Sequence, residues 1–223
     1  MIDDAGLVER LKSLDCCALS DALDKLELQG AVTGLRQESG AGRIAGRAVT
    51  VKLDTGYPPP GPPRHLGTTA IEMAGPDDVI VIEQRTGVEA GCWGGLLTLG
   101  AKVRGIAGVV ADGPVRDIDE ARSHGFPIFT NKTTCLTARS RVVEKATNEP
   151  IEIGNVKVSP GDYVAADNSA VIFIGSENIE HVLDTAEAIA AREAAMAGAI
   201  EAGTPISEVM GGNYEHMLDE KDG

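Results

Sequence analysis

Apolar residues recur along this chain at two spacings, and the switches between them mark out its elements. Residues 4–14 place Leu7, Val8, Leu11 and Leu14 on one side, which predicts a short helix. A second helix is expected over about Ser20–Leu26, with Ser20 as N-cap and Ala22, Leu23 and Leu26 as its apolar side. Leu28–Val32 reads as a connection. Arg43–Leu53 sets Ala45, Ala48, Thr50 and Lys52 against Val49, Val51 and Leu53, the alternation of a strand. His65–Met73 returns to helical spacing and stops at Gly75-Pro76. Asp78–Glu83 is a continuous apolar run, as in a strand covered on both faces.

Further along, helix Leu96–Arg104, strand Ile106–Ala111, a helical turn at Glu120–His124 stopped by Gly125, and strand Phe126–Thr130 are expected. Ile151–Val158 and Asp162–Asp167 flank Ser159-Pro160-Gly161 and read as adjacent strands around a β-turn. Ala170–Ile174 is a buried strand. Asn178 is the expected cap of the longest helix, about Ile179–Ala202, closed by Gly203 and Pro205, with one more turn at Ser207–Met210. The order predicts one α/β layered domain over residues 1–223, with a mixed sheet closed by the β-rich second half.

Composition narrows the function. With 223 residues the chain can bury a sizeable core, and with 3% aromatics and 27 Gly that core is aliphatic. A net charge of −14 argues against a nucleic-acid surface but leaves room for an anionic substrate at a site of opposite local field. Cys16, Cys17, Cys92 and Cys135 form no C-x-x-C pair and read as free thiols in a reducing cytoplasm. Cys16 and Cys17 read as packing residues on a helix. No signal peptide is expected from MIDDAGLVERLK, nor a membrane span, since no apolar stretch reaches the required ~18 residues. GYPPPGPP (56–63) reads as a stiff surface loop, or as a lid or wall over a site.

The chemistry concentrates between Gly91 and Glu120. Gly94-Gly95-Leu96-Leu97 would offer bare backbone N–H groups at a helix start, where anions are favoured. A simple tight turn would also explain the two glycines. Arg116 carries a fork suited to a carboxylate or enolate oxygen; a surface ion pair with Asp112, Asp119 or Glu120 is the plainer reading. His65, Trp93, Lys102 and Lys132 read as capping, packing or solvated groups, and no Schiff-base pattern surrounds either lysine.

GGLLTLGAKVRGIAGVVADGPVRDIDE resembles the RraA-like family, which includes the class II, metal-dependent 4-hydroxy-4-methyl-2-oxoglutarate aldolases. LSDALDKLELQGAVTGLR, GRAVTV, AGPDDVIVIE and VSPGDYVAADNSAVIFI extend the likeness over about residues 14–175. The resemblance implies a swivelling β/β/α domain with layered sheets and flanking helices. It also implies a homotrimer or dimer of trimers with sites between subunits, and a C-terminal helix and tail (about 178–223) packing on a neighbour. Asp117 is the implied ligand of Mg2+ or Mn2+, with Glu120 and Asp112 as candidates to orient its waters. Arg116 and the backbone of Gly94, Gly95, Leu96 and Leu97 are implied to seat a small 2-keto acid. Glu193 loosely matches an acid that the family takes from a neighbour's last helix. The implied reaction releases pyruvate from a 4-hydroxy-2-keto acid, and oxaloacetate would decarboxylate through the same enolate. Many catalytic members carry an acid where this chain has Gly95. Some relatives are non-catalytic ribonuclease regulators, which tend to be shorter and to lack the Asp after the motif Arg. A binding protein for an anionic metabolite is a further alternative.

Overall fold

The computed structural model describes residues 4–211. Helices α1 (Asp4–Ser13) and α2 (Cys16–Lys25) precede strands β1 (Ala31–Val32), β2 (Arg36–Ser39) and β3 (Ile44–Asp54). Helix and strand then alternate: α3 (Thr68–Met73), β4 (Asp78–Glu83), α4 (Gly95–Val103), β5 (Gly108–Val115), α5 (Ile118–His124), β6 (Ile128–Thr133). The remainder comprises β7 (Val143–Thr147), β8 (Ile151–Ile153), β9 (Val156–Val158), β10 (Tyr163–Ala166), β11 (Val171–Ile174), α6 (Ile179–Glu201) and α7 (Ile206–Val209).

The main sheet runs β1-β11-β10-β3-β4-β5-β6-β2, with β7 also on β3. Strands β3 to β6 are parallel because a helix crosses over between each pair. The others join antiparallel. Strand β3 holds the sheet together: Ile44–Arg47 pair with β10, and Val51–Asp54 pair with β7.

Period-two alternation sorts the strand residues into layers. Ile80, Ile82, Val109, Ala111 and Ile128 face α3, α4 and α5 in one cluster with Trp93 and Leu97. Val79, Val81, Val110 and Phe129 face the other way, against the β8–β9 ribbon. Helices α1, α2 and α6 cover Tyr163, Ala165, Ile172 and Ile174 of β10 and β11. The result is the expected layering: a small sheet, a large sheet and a helical layer.

Several local expectations are corrected. Helix α2 begins at Cys16, capped by the Asp15 carboxylate accepting the Ala18 N–H at 2.8 Å; Ser20 lies inside it. Ile151–Val158 is a hairpin, folded at Gly154 (φ +58), and β10 pairs with β3 and β11 instead of with β9. Asn178 makes no side-chain cap; its amide donates to Glu177 at 3.3 Å. Strands β1, β2 and β7 are not among the expected elements. His216 and the last part of the tail lie outside the described residues. No helix among the described residues is long and apolar enough to cross a membrane.

All four cysteines are free, with Cys16 and Cys92 buried and Cys17 and Cys135 exposed. Burial pushes the Cys92 thiol up to about 12 and raises that of Cys16 further, so neither ionises near neutrality. A thiol reagent such as DTNB should therefore titrate two thiols rapidly in native protein and all four in denaturant. Fast native reaction of all four would contradict this packing.

Candidate functional site

The site forms where the chain leaves β4 and returns beside the end of β5. Cys92 N–H donates to Pro114 carbonyl at 2.8 Å, and Arg116 N–H to Trp93 carbonyl at 3.0 Å. Trp93 and Val115 form a parallel bridge. This short added strand carries Gly94 alongside Arg116 before α4 begins. Trp93 is buried, and its indole N–H donates to Thr98 Oγ1 at 2.9 Å. The Thr98 hydroxyl donates in turn to Gly94 carbonyl at 3.0 Å, which latches the turn. Trp93 therefore packs, as expected from sequence.

The glycines are needed for space, since Gly94 is extended (φ −159). A Cβ there would lie 2.9 Å from Asp117 Oδ2 and 3.2 Å from Arg116 Cγ. At Gly91 a Cβ would lie 3.0 Å from the same Arg116 Cγ. The two glycines make a bed for the arginine stem. At Gly95 a Cβ would fall 1.8 Å from Glu120 Oε2, so the Glu120 carboxylate occupies the volume a side chain there would take.

Asp117 is the N-cap residue of α5 and sits in the left-handed region (φ 58, ψ 38). An aspartate at an N-cap ordinarily binds its own helix's N–H groups. This one makes no such bond. Its Oδ2 instead accepts the Gly95 N–H at 3.0 Å, across 22 residues, and Arg116 Nε lies 3.2 Å from the same carboxylate. Gly95, Leu96 and Leu97 form the first turn of α4, whose N–H groups have no partner within the helix.

Gly94, Gly95, Leu96, Leu97, Arg116 and Asp117 all line one cavity of about 930 Å³. A wall of the cavity is made by Pro58–Pro63 with Arg64 and His65, and by the turn before β7 together with that strand. Both readings of the proline segment hold: Pro58–Pro63 are exposed, as in a surface loop, and they line this cavity. His65 lines this cavity too, its Nδ1 3.0 Å from Leu66 carbonyl. A smaller hollow of about 400 Å³ lies against Asp117 as well and includes Glu120 and Cys135.

Other candidates are engaged elsewhere. Asp112 accepts from Asn131 Nδ2 at 2.7 Å and Gly154 N–H at 2.8 Å, anchoring the β8–β9 ribbon. Lys102 donates to His124 carbonyl at 2.6 Å, and Lys132 pairs with Glu89 at 3.1 Å. Glu193 is exposed on α6, which belongs to the α1–α2 cluster, so nothing within the chain brings it to Asp117. Gly91 bounds the stretch expected to carry the chemistry, whereas Arg139 and β7 are cavity components that were not expected from the sequence. The positive-φ Ser140 turn beside Arg139 left no mark in the sequence, because serine is not a left-handed signature.

No group of three or more His, Cys, Asp or Glu side chains gathers among the described residues. Asp117 and Glu120 converge over Gly95, an all-oxygen set. Such a set suits Mg2+ or Mn2+, which keep several waters and use one or two protein carboxylates; zinc would ask for nitrogen or sulfur ligands.

A mixed sheet, parallel over β3–β6 and carrying a helix start, a guanidinium and a carboxylate where those strands end, defines a layered α/β class of domain. The chain belongs to the RraA-like family, whose description, Aldolase/RraA, matches residues 16–173. It is 30% identical over 186 residues to a Halalkalibacterium halodurans protein named "Putative 4-hydroxy-4-methyl-2-oxoglutarate aldolase", covering 82% of this chain and 83% of that one. It is 28% identical over 206 residues to protein DlpA of Legionella pneumophila, covering 91% of this chain but only 33% of DlpA's length. A crystal structure of a Pseudomonas syringae pv. tomato protein superposes with TM-score 0.82 at 26% identity, covering 93% of this chain and 98% of that one. Streptomyces coelicolor RraAS2, described as an unusual member of the RNase ES inhibitor RraA family, gives 0.74 at 25% identity, with 86% and 96% covered.

The left-handed backbone at Asp117 predicts an ordering of variants. Asp117→Gly should be more stable than Asp117→Ala by about 1–2 kcal/mol in urea denaturation, and Asp117→Asn should stay near wild type. Equal stabilities for Gly and Ala would mean that the turn relaxes freely.

Proposed function

We propose that this protein is a divalent-metal-dependent lyase. It cleaves a 4-hydroxy-2-keto acid of the 4-hydroxy-4-methyl-2-oxoglutarate type to pyruvate and decarboxylates oxaloacetate at the same centre. One observation carries the reading: the Asp117 carboxylate is turned away from its own helix to the start of α4, beside Arg116 and open to the cavity. The aldolase name of the H. halodurans relative supports the reaction class.

Asp117 would hold Mg2+ or Mn2+, with Glu120 orienting its waters. When bound, the ion polarises the substrate's keto oxygen as a Lewis acid. The first N–H groups of α4, at Leu96 and Leu97, receive the substrate carboxylate. Arg116 donates to the oxygen that gains charge as the C3–C4 bond breaks. A base takes the 4-hydroxyl proton, the bonding electrons pass to the keto oxygen, and the enolate collects a proton at C3 to give pyruvate. The Glu120 carboxylate over Gly95 keeps an acid at the helix start although the family's acidic position is glycine here.

The base is assigned to the neighbouring subunit's Glu193 in a homotrimer or dimer of trimers. Supporting this assembly, Leu96 (86% exposed) and Val103 (78%) line an apolar face of α4 beside the site, and α6 runs on exposed beyond Ile189. A small 2-keto acid is thus the proposed partner, with neither nucleic acid nor membrane. The alternative is a non-catalytic regulator of the ribonuclease-inhibitor type or an anionic-metabolite-binding protein.

Pyruvate release from oxaloacetate, corrected for the rate with metal alone, should vanish in EDTA and return with Mg2+ or Mn2+. Arg116→Ala should lower kcat by roughly 10²–10³-fold, the loss of one strong oxyanion donor. Asp117→Asn should fold but lose the metal-restored rate. Wild-type rates in either variant would refute the assignment, and no metal-dependent release from oxaloacetate or any 4-hydroxy-2-keto acid would favour the alternative.

A further inference from the structure

Two buried polar side chains behind the site do more than packing asks of them. Trp93 and Thr98 are each 1% exposed. For filling space alone, phenylalanine and valine would serve at these positions and would bring no polar atom to satisfy. Instead the indole N–H donates to Thr98 Oγ1 at 2.9 Å, and that hydroxyl donates to Gly94 carbonyl at 3.0 Å. The same carbonyl accepts the Thr98 N–H at 3.0 Å, the first bond of α4. Two donors from one residue therefore hold this oxygen.

The other side of that peptide faces the site. The Gly94–Gly95 peptide is trans and planar, so its C=O and N–H point in opposite directions. An oxygen held into the helix sends the Gly95 N–H out of the helix start, where it donates to Asp117 Oδ2 at 3.0 Å. Between two glycines no side chain restrains the peptide, so its orientation has to come from its hydrogen bonds. Asp117 in turn makes no bond to its own helix, and besides Arg116 the Gly95 N–H is what aims it. Trp93, Thr98, the Gly94–Gly95 peptide and the Asp117 carboxylate thus form one head-to-tail line of donors and acceptors, in which each bond polarises the next.

We propose that Thr98, backed by Trp93, is a positioning residue for Asp117: it sets the peptide plane whose N–H aims the carboxylate that would take the divalent ion. This rests on the lyase reading for the role of Asp117, and it assigns a function to two residues that touch neither substrate nor ion.

The key variant is Trp93→Phe/Thr98→Val, which removes donor and acceptor together and so strands no buried polar atom between them. Thr98→Ser keeps the hydroxyl. The probes are Mn2+ alone, titrated by electron paramagnetic resonance, and the Gly95 amide resonance in the metal-free protein. The double variant should melt near wild type yet bind Mn2+ roughly tenfold more weakly, the lower end of the cost of losing a ligand's outer partner. Thr98→Ser should bind as wild type does. The Gly95 amide proton should shift upfield in the double variant, as it does in Asp117→Asn, because the bond to the carboxylate is weakened in both. A folded double variant that binds Mn2+ like wild type, or an equal loss in Thr98→Ser, overturns the assignment. If the double variant does not fold, Trp93→Phe alone replaces it and the same outcomes decide. If wild type binds Mn2+ but releases no pyruvate, the lyase reading fails separately and Mn2+ affinity still decides. If wild type binds no Mn2+, the metal reading fails and the amide decides: a shift shared with Asp117→Asn upholds the positioning role, and an unmoved resonance overturns it.

Discussion

The hydrogen bond from Gly95 N–H to the Asp117 carboxylate fixes how the two halves of the site meet. Its energetics show what kind of contact it is. A hydrogen bond to a charged acceptor contributes about 1.5–3 kcal/mol. Against it stand a left-handed backbone at a non-glycine residue, about 1–2 kcal/mol, and the forgone cap of α5, about 1 kcal/mol. The balance is close to zero. An aspartate that simply capped α5 would leave the fold about as stable. The contact places a carboxylate at a helix start beside a guanidinium, and that placement, rather than folding, is what the local strain maintains.

Everything near this bond is arranged to leave it room. Gly91 and Gly94 lie under the Arg116 stem, and Gly95 lies under Glu120. Trp93 and Thr98 hold the turn from behind through a buried hydrogen-bond chain. The floor extends the parallel part of the sheet, in which Ile80, Ile82, Val109 and Ala111 are fully buried.

Much of this was legible in the residues. The apolar runs of β4 and β11 and the periodicity of α1 and α6 report burial directly, and those elements lie where the pattern puts them. Arg116, Asp117 and the Gly94–Leu97 run were legible as a unit because one helix and one strand of fixed length separate them. Strands β2 (RQES) and β7 (VEKAT) were not legible. Neither is an apolar run, and each has partly exposed positions that backbone pairing with β6 or β3 holds in the sheet. The same limit hid this wall of the cavity, since Thr137–Thr147 is brought to it by the pairing of β7 with the C-terminal half of β3 and by Gly91 N–H donating to Leu136 carbonyl at 2.9 Å. Asn178 shows the converse error, a good capping residue whose side chain finds a nearer partner in Glu177.

These two origins divide the labour of the site. The floor is built by the helix crossovers of the parallel strands, so its geometry is tied to the core and tolerates little change. The wall is a proline segment and a turn attached at the edge, tethered by Lys145 to Tyr57 and by Glu144 to Gly67. Ala138 and Val142 of the wall belong to the core, but Pro58–Pro63 and Arg139 are exposed, and changes at those positions leave the core intact. Arg64 and Arg139 lie on the wall. The proposed reaction chemistry thus rests on Asp117 and Arg116 of the floor, around which exposed wall residues can change.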